Sequence, residues 1–140
     1  MNLKLVTLLG EKIDETVYQV TVPTVTGDVS IYPGHEPLVT VARQGAIVVR
    51  FHKSDPDSKL EYFAISGGII EVSQTAVKVL VDEADHGDEI IESEAKAALD
   101  RAMEMQVNAS DQVEREKALE IINRQQVRLK VAELRRRRQR

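Results

Sequence analysis

The chain has 140 residues, of which 42% are hydrophobic and 30% are charged, and its formal net charge at pH 7 is −4. This length fits one ordinary domain, or one small domain with an appendage. The acidic balance argues against wholesale nucleic-acid binding, and the absence of cysteine excludes disulfides and thiolate metal sites. No apolar run approaches the roughly 20 residues that a membrane-spanning helix needs. The first residues already follow a strand pattern, so we expect no signal or transit peptide.

The charges divide the chain into two segments. Residues 1–87 carry seven basic and twelve acidic side chains, whereas residues 88–140 carry twelve basic and eleven acidic ones. The hydrophobic period changes near the same place, so we predict one domain of residues 1–87 and another of residues 88–140. The basic residues that crowd the C-terminal end are Arg135, Arg136, Arg137, Arg138 and Arg140.

The first segment has the alternation of half-buried β-strands. Residues 17–22 alternate with period two, and Pro23, which has no N–H to donate, is predicted to end that strand. The polar stretch 53–59 and the triplet 73–75 each separate two strand-like runs, which predicts two hairpins. The predicted strands are residues 3–8, 17–22, 46–52, 60–65, 69–72 and 76–81.

The number and spacing of these strands are typical of an antiparallel β-sandwich or a flattened barrel. Its core must come from valine, isoleucine, leucine and alanine, because aromatic residues are only 4% of the chain and tryptophan is absent. Gly67 and Gly68 stand where a strand begins, so we expect a bulge or a close backbone contact that a Cβ would disturb.

The second segment changes to the period of a helix. Its apolar residues between 90 and 107 fall on one broad face. Acidic residues suit the positive end of the helix dipole. Those predicted to occupy its first turns are Asp88, Glu89, Glu92 and Glu94.

A second helix is predicted to follow after a short stop. Ser110 or Asp111 is expected to cap it, with Glu114 reaching back to Asp111, and the helix should run to about Leu134. Two helices joined by about four residues should pack antiparallel, and alanine contacts should hold them only weakly. The predicted fold class is α+β, with an N-terminal antiparallel β-sandwich followed by a C-terminal antiparallel two-helix hairpin.

Catalytic and metal sites find little support in the sequence. His35, His52 and His86 stand in separate turns or strands, and no two of them have metal-ligand spacing. Ser66 precedes two glycines but lacks the strand–turn–helix setting of an activated nucleophile. We therefore predict no enzymatic activity, no cofactor and no metal.

Two glycine-bearing motifs about thirty residues apart carry a resemblance to a known family. The first is a Pro-Gly-His-x-Pro-Leu turn at residues 33–38, and the second is a Ser-Gly-Gly strand entry at residues 66–68. Followed by a charged two-helix tail, they resemble the epsilon subunit of the bacterial and organellar F-type ATP synthase. The resemblance covers nearly the whole chain.

The resemblance implies a non-catalytic rotor subunit of the central stalk. Such a subunit joins the gamma subunit to the membrane rotor ring, helps to couple proton flow to ATP synthesis, and restrains ATP hydrolysis through its helices. Contacts with the alpha and beta subunits would be transient, and contact with the membrane would come only through the complex. The implied location is the cytoplasmic face of a bacterial inner membrane, or the stromal face of a thylakoid. Two rival hypotheses are a stand-alone β-sandwich binding module with a helical tail and a nucleotide sensor that acts through the hairpin.

The resemblance also assigns a docking turn and a regulatory set of arginines. A stiff turn that carries tyrosine, histidine and glutamate is suited to docking, and in the family it lies near the gamma subunit and the rotor ring. The residues of this turn are Tyr32, Pro33, Gly34, His35 and Glu36. The arginines predicted to meet an acidic segment of the catalytic subunits are Arg115, Arg124, Arg128, Arg135, Arg136, Arg137 and Arg138. A solvated tail is the alternative interpretation of these arginines, and nucleic-acid binding is a poorer one.

Some epsilon subunits bind ATP between their helices through an Ile/Leu-Asp-x-x-Arg-Ala motif. The matching stretch here, residues 92–97, lacks the apolar residue and the aspartate, and Lys96 replaces the arginine. This substitution is not conservative for phosphate contacts, because lysine offers a point charge rather than a planar fork. Lys96, Arg124 and Arg128 are the weak candidates for an ATP site.

Overall fold

The computed structural model describes residues 1–138, without the side chain of Arg138, and it confirms the predicted fold class. Ten strands form the N-terminal part, and two helices follow. The strands are β1 (Asn2–Thr7), β2 (Gly10–Thr16), β3 (Gln19–Thr24), β4 (Gly27–Ile31), β5 (Leu38–Ala42), β6 (Gly45–Arg50), β7 (Glu61–Ile65), β8 (Gly68–Val72), β9 (Ala76–Val81) and β10 (Ala84–His86). The helices are α1 (Glu92–Asn108) and α2 (Gln112–Arg138), and short 3₁₀ turns occupy Asp57–Lys59 and Gly87–Glu89.

The strands join into one strongly curved sheet, in the order β10-β7-β6-β3-β5-β8-β9-β1-β2, and β4 pairs with the other edge of β3. Both predicted hairpins are present, since β6 pairs with β7 and β8 pairs with β9 in antiparallel register. One pair differs from the antiparallel prediction: β1 lies parallel to β9. The chain's first strand therefore closes the sheet beside a strand that is about seventy residues away in sequence.

Branched aliphatic side chains fill the interior of the sandwich. They come from alternate positions of nearly every strand, as the period-two pattern predicts. All lie in residues 3–84, so the helices contribute nothing to this core. Its most deeply buried members are Leu3, Leu5, Val20, Val22, Ile31, Ile47, Val49, Ile70, Val77 and Val79.

The prediction that Pro23 ends its strand is wrong. Pro23 lies inside β3, opposite Asp28 of β4, and its carbonyl oxygen accepts from the N–H of Arg43. On that edge β3 pairs with β6 as far as Thr21 and then with β5 from Thr24. The missing N–H therefore falls where the strand changes partner and no ladder hydrogen bond is required.

Strands β2, β4, β5 and β10 are absent from the strands predicted above, and β2 is the longest of them. Nearly all of its residues are exposed, and within residues 1–138 it pairs only with β1, so no apolar alternation marks it in the sequence. Charged side chains are typical of such an edge strand because they discourage pairing with another chain.

The helical segment begins later than predicted. Asp88 and Glu89 belong to the 3₁₀ turn, where the Asp88 N–H donates to Nδ1 of His86, and α1 starts only at Glu92. At the second helix, Oδ1 of Asp111 accepts from the Glu114 N–H, as expected of a cap. The Glu114 carboxylate reaches back to Ser110, one residue earlier than predicted.

The two helices pack as an antiparallel hairpin, and the hairpin lies against the sandwich. Ala95 and Ala102 are the buried residues of α1, which confirms the expected alanine-lined contact. Helix α2 continues onto strands β6 and β7 through a small apolar cluster. Its buried members are Ala64, Ile90, Val131 and Ala132, with Ala46, Tyr62 and Val127 partly buried beside them.

Candidate functional site

An exposed row of apolar side chains crosses the outer face of the sandwich. The strand register places Val41 of β5 beside Ile69 of β8, Ile69 beside Leu80 of β9, and Leu80 beside Val6 of β1. Val41 and Ile69 remain about half exposed, at 52% and 47%. Val39, two residues along β5 on the same face, is 73% exposed. We call Val6, Val39, Val41, Ile69 and Leu80 the outer apolar row.

A band of charged side chains borders this row. Glu71 faces Lys78 on the neighbouring strand, and Lys78 faces Lys4. Lys4 forms an ion pair of 3.1 Å with Glu11, and the hydrogen bond with this carboxylate is the largest cause of the raised pKa of Lys4. An apolar centre with a charged rim has the composition of a protein–protein contact surface.

The predicted docking turn is a fixed projection at one end of the sandwich. Gly34 has a φ of +85°, which a side chain would strain, and its N–H donates to the Gln74 carbonyl over 2.9 Å. Nδ1 of His35 donates to the Glu36 carbonyl over 2.7 Å. The ring of Tyr32 is packed edge-on against Tyr18, with 5.7 Å between centroids, yet 44% of the residue stays exposed.

A cleft of about 590 Å³ lies at the opposite strand ends. It is bordered by the β1–β2 turn, by Ser66, by residues 82–85 and by Arg124 of α2. Leu8 and Leu9 in that turn are almost fully exposed. The docking turn and this cleft therefore mark the two ends of the sandwich.

Helix α2 carries Arg124, Arg128 and Arg135 at positions i, i+4 and i+11, and Val131 lies between them. This spacing places all four side chains on one side of the helix. Arg124 pairs with Glu83 and lies 3.8 Å from Asp85, Nε of Arg128 lies 3.4 Å from Asp85, and Arg135 pairs with Asp88. Val131 is fully buried between the arginines. We call Arg124, Arg128 and Arg135 the arginine stripe.

Four carboxylates within residues 83–92 form ion pairs with the arginine stripe and with Arg136, which follows Arg135 in the sequence. Nη1 of Arg136 lies 2.9 Å from both carboxylate oxygens of Glu92. Nε atoms of Arg128 and Arg135 are buried and meet their carboxylates as ion pairs, without hydrogen-bond geometry. The carboxylates, which we call the acidic strip, are Glu83, Asp85, Asp88 and Glu92.

The remaining predicted arginines lie apart from this strip. Nε of Arg115 donates to the Asp111 carbonyl over 3.4 Å, and Arg137 pairs with Glu133 one turn away on α2 at 2.7 Å. The side chain of Arg138 lies outside the described residues. The sequence analysis therefore found the arginines but missed their partners, although acidic residues in matching order along residues 83–92 were a signal.

The three candidates for an ATP site do not converge in this structure. Lys96 lies in a groove between the helices with Glu92, Glu133 and Arg136. Arg124 and Arg128 instead face the acidic strip. Within residues 1–138 no group of three histidine or acidic side chains could hold a metal ion. No helix in this part of the chain is long and apolar enough to cross a membrane.

The fold and its surfaces define a class, a β-sandwich subunit with a packed helical hairpin. The family model for the β-sandwich domain of the ATP synthase delta/epsilon chain matches residues 1–87. The ATP synthase epsilon chain of Herpetosiphon aurantiacus is 39% identical over 143 residues, which cover 99% of this chain and 98% of that one. The Staphylococcus aureus epsilon chain is 33% identical over 135 residues, covering 96% and 97%.

Solved structures share the fold. A chain of the Euglena gracilis mitochondrial ATP synthase, solved as an OSCP/F1/c-ring assembly, superposes with a TM-score of 0.73 at 24% identity, covering 86% of this chain and 74% of that one. A chain of the Tetrahymena thermophila central stalk and c-ring gives 0.63 at 15% identity, covering 94% and 96%. The protein belongs to the ATP synthase epsilon-chain family, whose members are non-catalytic subunits of the central stalk. This confirms the predicted family.

Proposed function

We propose that this epsilon chain joins the gamma subunit to the rotor ring, and that its helices restrain ATP hydrolysis. The observation that carries the first part is the outer apolar row, which stays partly exposed on a rigid sandwich within residues 1–138. Scattered exposed apolar residues are ordinary, but a row that continues across four strands favours a protein partner. Because the chain belongs to the epsilon-chain family, we expect this partner to be a subunit of the central stalk. We assign the outer apolar row to the contact with the gamma subunit.

The docking turn supplies the second contact. It lies at one end of the sandwich. The tip of the helical hairpin, residues 103–117, has no buried side chain. If the rotor ring contacts the docking turn and the catalytic subunits lie beyond the cleft, the membrane-side and catalytic-side contacts fall at opposite ends of the sandwich. Membrane association then comes through the complex.

Paired charge substitutions in the outer apolar row test the gamma contact. Val41→Asp with Ile69→Asp should weaken binding to gamma by at least about tenfold, since a tenfold loss needs only about 1.4 kcal/mol and buried carboxylates cost more. Val107→Asp with Val113→Asp places the same charges on exposed hairpin residues and should leave gamma binding unchanged. Co-purification with gamma from epsilon-depleted ATP synthase is the measurement. Equal binding by both double variants would rule out the row as the gamma surface.

The ring contact is tested separately at the docking turn. Tyr32→Ser with Glu36→Gln keeps Pro33 and Gly34, so the turn retains its shape. This variant should bind gamma normally but restore less proton-coupled ATP synthesis to epsilon-depleted membranes than the parent chain does. Full restoration would place the ring contact elsewhere.

The arginines of α2 favour the inhibitory role. In this fold they already select carboxylates as partners, which is the chemistry that an acidic segment of a catalytic subunit offers. Replacing Arg135 to Arg138 together with alanine should raise ATP hydrolysis by the assembled enzyme and leave synthesis nearly unchanged. High salt should partly mimic this relief, because screening weakens exposed ion pairs. The control replaces Lys53, Lys59, Arg101 and Lys117, four exposed cations away from the C-terminal end.

Unchanged hydrolysis in the fourfold arginine variant, measured at full epsilon occupancy, would show that these arginines do not carry the inhibition. A single substitution is expected to do little, since exposed ion pairs contribute only about 0–1 kcal/mol each. Several together can shift a two-state equilibrium by a few kcal/mol.

A further inference from the structure

Strand β5 has a backbone edge that is open along much of its length. It pairs with β8 from end to end, whereas on its other side the ladder with β3 holds only the pair Thr24–Ala42. On this second side the Val25 N–H donates to the Val41 carbonyl over 3.3 Å. Backbone groups two residues apart in a strand point the same way, so the N–H and C=O of Val39 also point to the side of β3. No strand within residues 1–138 pairs with Val39 there.

The side chains around this open edge are apolar and exposed. Val39 and Val41 belong to the outer apolar row, and Val25 in the turn between β3 and β4 is 64% exposed. Leu38, on the other face of β5, is exposed as well. The edge therefore combines unpaired backbone groups with apolar side chains on both faces of the strand.

Strand β2, which ends the order of the sheet, is protected in a way that β5 is not. Four of its seven residues are charged and exposed, namely Glu11, Lys12, Asp14 and Glu15. Charges of this kind discourage the addition of another strand. Residues 38–42 of β5 carry no charge. An apolar edge with free N–H and C=O groups is instead a template for strand addition by a partner.

We propose that an extended segment of the gamma subunit adds a strand to β5 and forms backbone hydrogen bonds with the N–H and C=O of Val39. This inference rests on the proposed contact with gamma, because Val39 and Val41 are part of the surface assigned to it. A strand added beside β5 would continue the outer apolar row by one more strand. Alternate side chains of the gamma segment should therefore be apolar, so that they cover these two valines.

The ends of the open edge limit the length of the added strand. The docking turn lies before β5, and Arg43 lies after it. Nε of Arg43 donates to the Thr24 carbonyl and its Nη2 donates to Asp28, each over 3.0 Å, which closes that end. Residues 38–41 span about 13 Å at roughly 3.3 Å per residue, which fits a segment of about four residues. So short a pairing sets the register of the contact, while the outer apolar row supplies most of its area.

The orientation of Val39 is tested first in the isolated full-length chain. Val39→Pro removes an N–H that has no strand partner, so its midpoint of urea denaturation should stay close to that of the parent. Thr40→Pro removes an N–H that points to β8, and its midpoint should be clearly lower. Equal losses in the two variants would overturn the assignment of an open edge at Val39.

Two variants at Val39 then separate backbone pairing from side-chain contact. Val39→Pro keeps an apolar side chain but removes the donor, and it should weaken binding to gamma about tenfold. Val39→Thr keeps the donor and the shape of the side chain, and it should weaken binding about threefold or less. Titration of epsilon-depleted ATP synthase measures both. The opposite order of the two losses would mean that gamma contacts the side chains alone, and strand addition would be refuted.

Amide hydrogen exchange of the unaltered chain provides a measurement that needs no variant. The Val39 N–H should exchange rapidly in the free chain and about a hundredfold more slowly or less in the complex with gamma, because a new hydrogen bond protects it. Equal exchange rates in the free and bound chains would contradict the added strand.

The outcomes distinguish this inference from the gamma contact itself. If Val41→Asp with Ile69→Asp weakens binding but Val39→Pro does not, gamma binds the outer apolar row and only strand addition fails. If Val39→Pro alone weakens binding, strand addition stands and the assignment of the row fails. If the free chain forms a dimer that Val39→Pro dissociates, a second copy occupies the edge and the assignment to gamma is overturned.

Discussion

The sandwich and the hairpin are held together by different forces. The sandwich buries Ile47, Ile70 and Val49 completely, together with many similar side chains. The hairpin buries mainly alanine between its helices, leaves Oε1 of Gln125 buried without a hydrogen-bond partner, and meets the sandwich through ion pairs. Burial of large side chains makes a rigid platform, whereas alanines and partly exposed ion pairs make a contact that modest changes can undo.

Matched isoleucines give the largest expected difference between the two regions. Ile70→Ala in the sandwich core should lower the free energy of unfolding by about 3–5 kcal/mol, because the closed sheet cannot collapse around the cavity. Ile122→Ala in α2, at a residue that is also buried, should cost about 2 kcal/mol or less, because the hairpin can close around the lost volume. Urea denaturation followed by circular dichroism measures both. Equal losses would show that the hairpin is as tightly cooperative as the sandwich.

The next largest loss of folding stability is expected from a substitution at Gly68. A Cβ there would overlap the Leu80 carbonyl group of the paired strand, whereas at Gly67 the nearest atom is the Ala42 carbonyl oxygen at 3.2 Å. Neither glycine has a positive φ, so the reason is close contact. Gly68→Ala should cost about 1–3 kcal/mol and Gly67→Ala clearly less. Identical melting of parent and Gly68→Ala proteins would contradict this contact.

Removing the hairpin should affect the sandwich less than either change within it. A chain of residues 1–87 keeps the whole sandwich core, and it loses the small cluster around Ala64 and the ion pairs of Glu83 and Asp85 with α2. We expect it to fold and to bind gamma, with strand amides protected nearly as in the full chain. Hydrogen exchange and co-purification are the measurements. An unfolded fragment would show that the ion-paired helix supports the platform, contrary to the proposed domain boundary.

The smallest change in folding stability is expected from removing the Lys4–Glu11 ion pair. The raised pKa of Lys4 means that its protonated form stabilises the fold below the usual lysine range, and this contribution disappears as pH rises through the folded-state pKa. Since the Lys4 side chain is 38% exposed and its pair is screened by solvent, Lys4→Met should leave the unfolding midpoint near neutral pH almost unchanged. Glu11→Gln should lower the Lys4 pKa, which an NMR titration of its side chain would detect. An unchanged pKa would exclude Glu11 as its cause.

The sequence by itself determined the elements whose pattern is local. Period-two alternation marks β6 to β9, a helical period marks α1 and α2, and Pro33 with Gly34 marks the docking turn. Each of these signals lies within a few residues of the structure that it specifies. The expected cap at Asp111 is local in the same sense, since its partner is the N–H of Glu114.

Only the tertiary structure decided the features that depend on distant partners. Pro23 is accommodated because β3 changes partner beside it, and β1 runs parallel to β9, neither of which a local pattern shows. The outer apolar row is not marked in the sequence, because Ile69 and Leu80 lie in predicted strands beside residues that are equally apolar. Likewise, the arginines and carboxylates are visible separately, but the fold of the chain decides that Arg128 reaches Asp85. Local periodicity fixes which residues share a face, whereas long-range register fixes what that face meets.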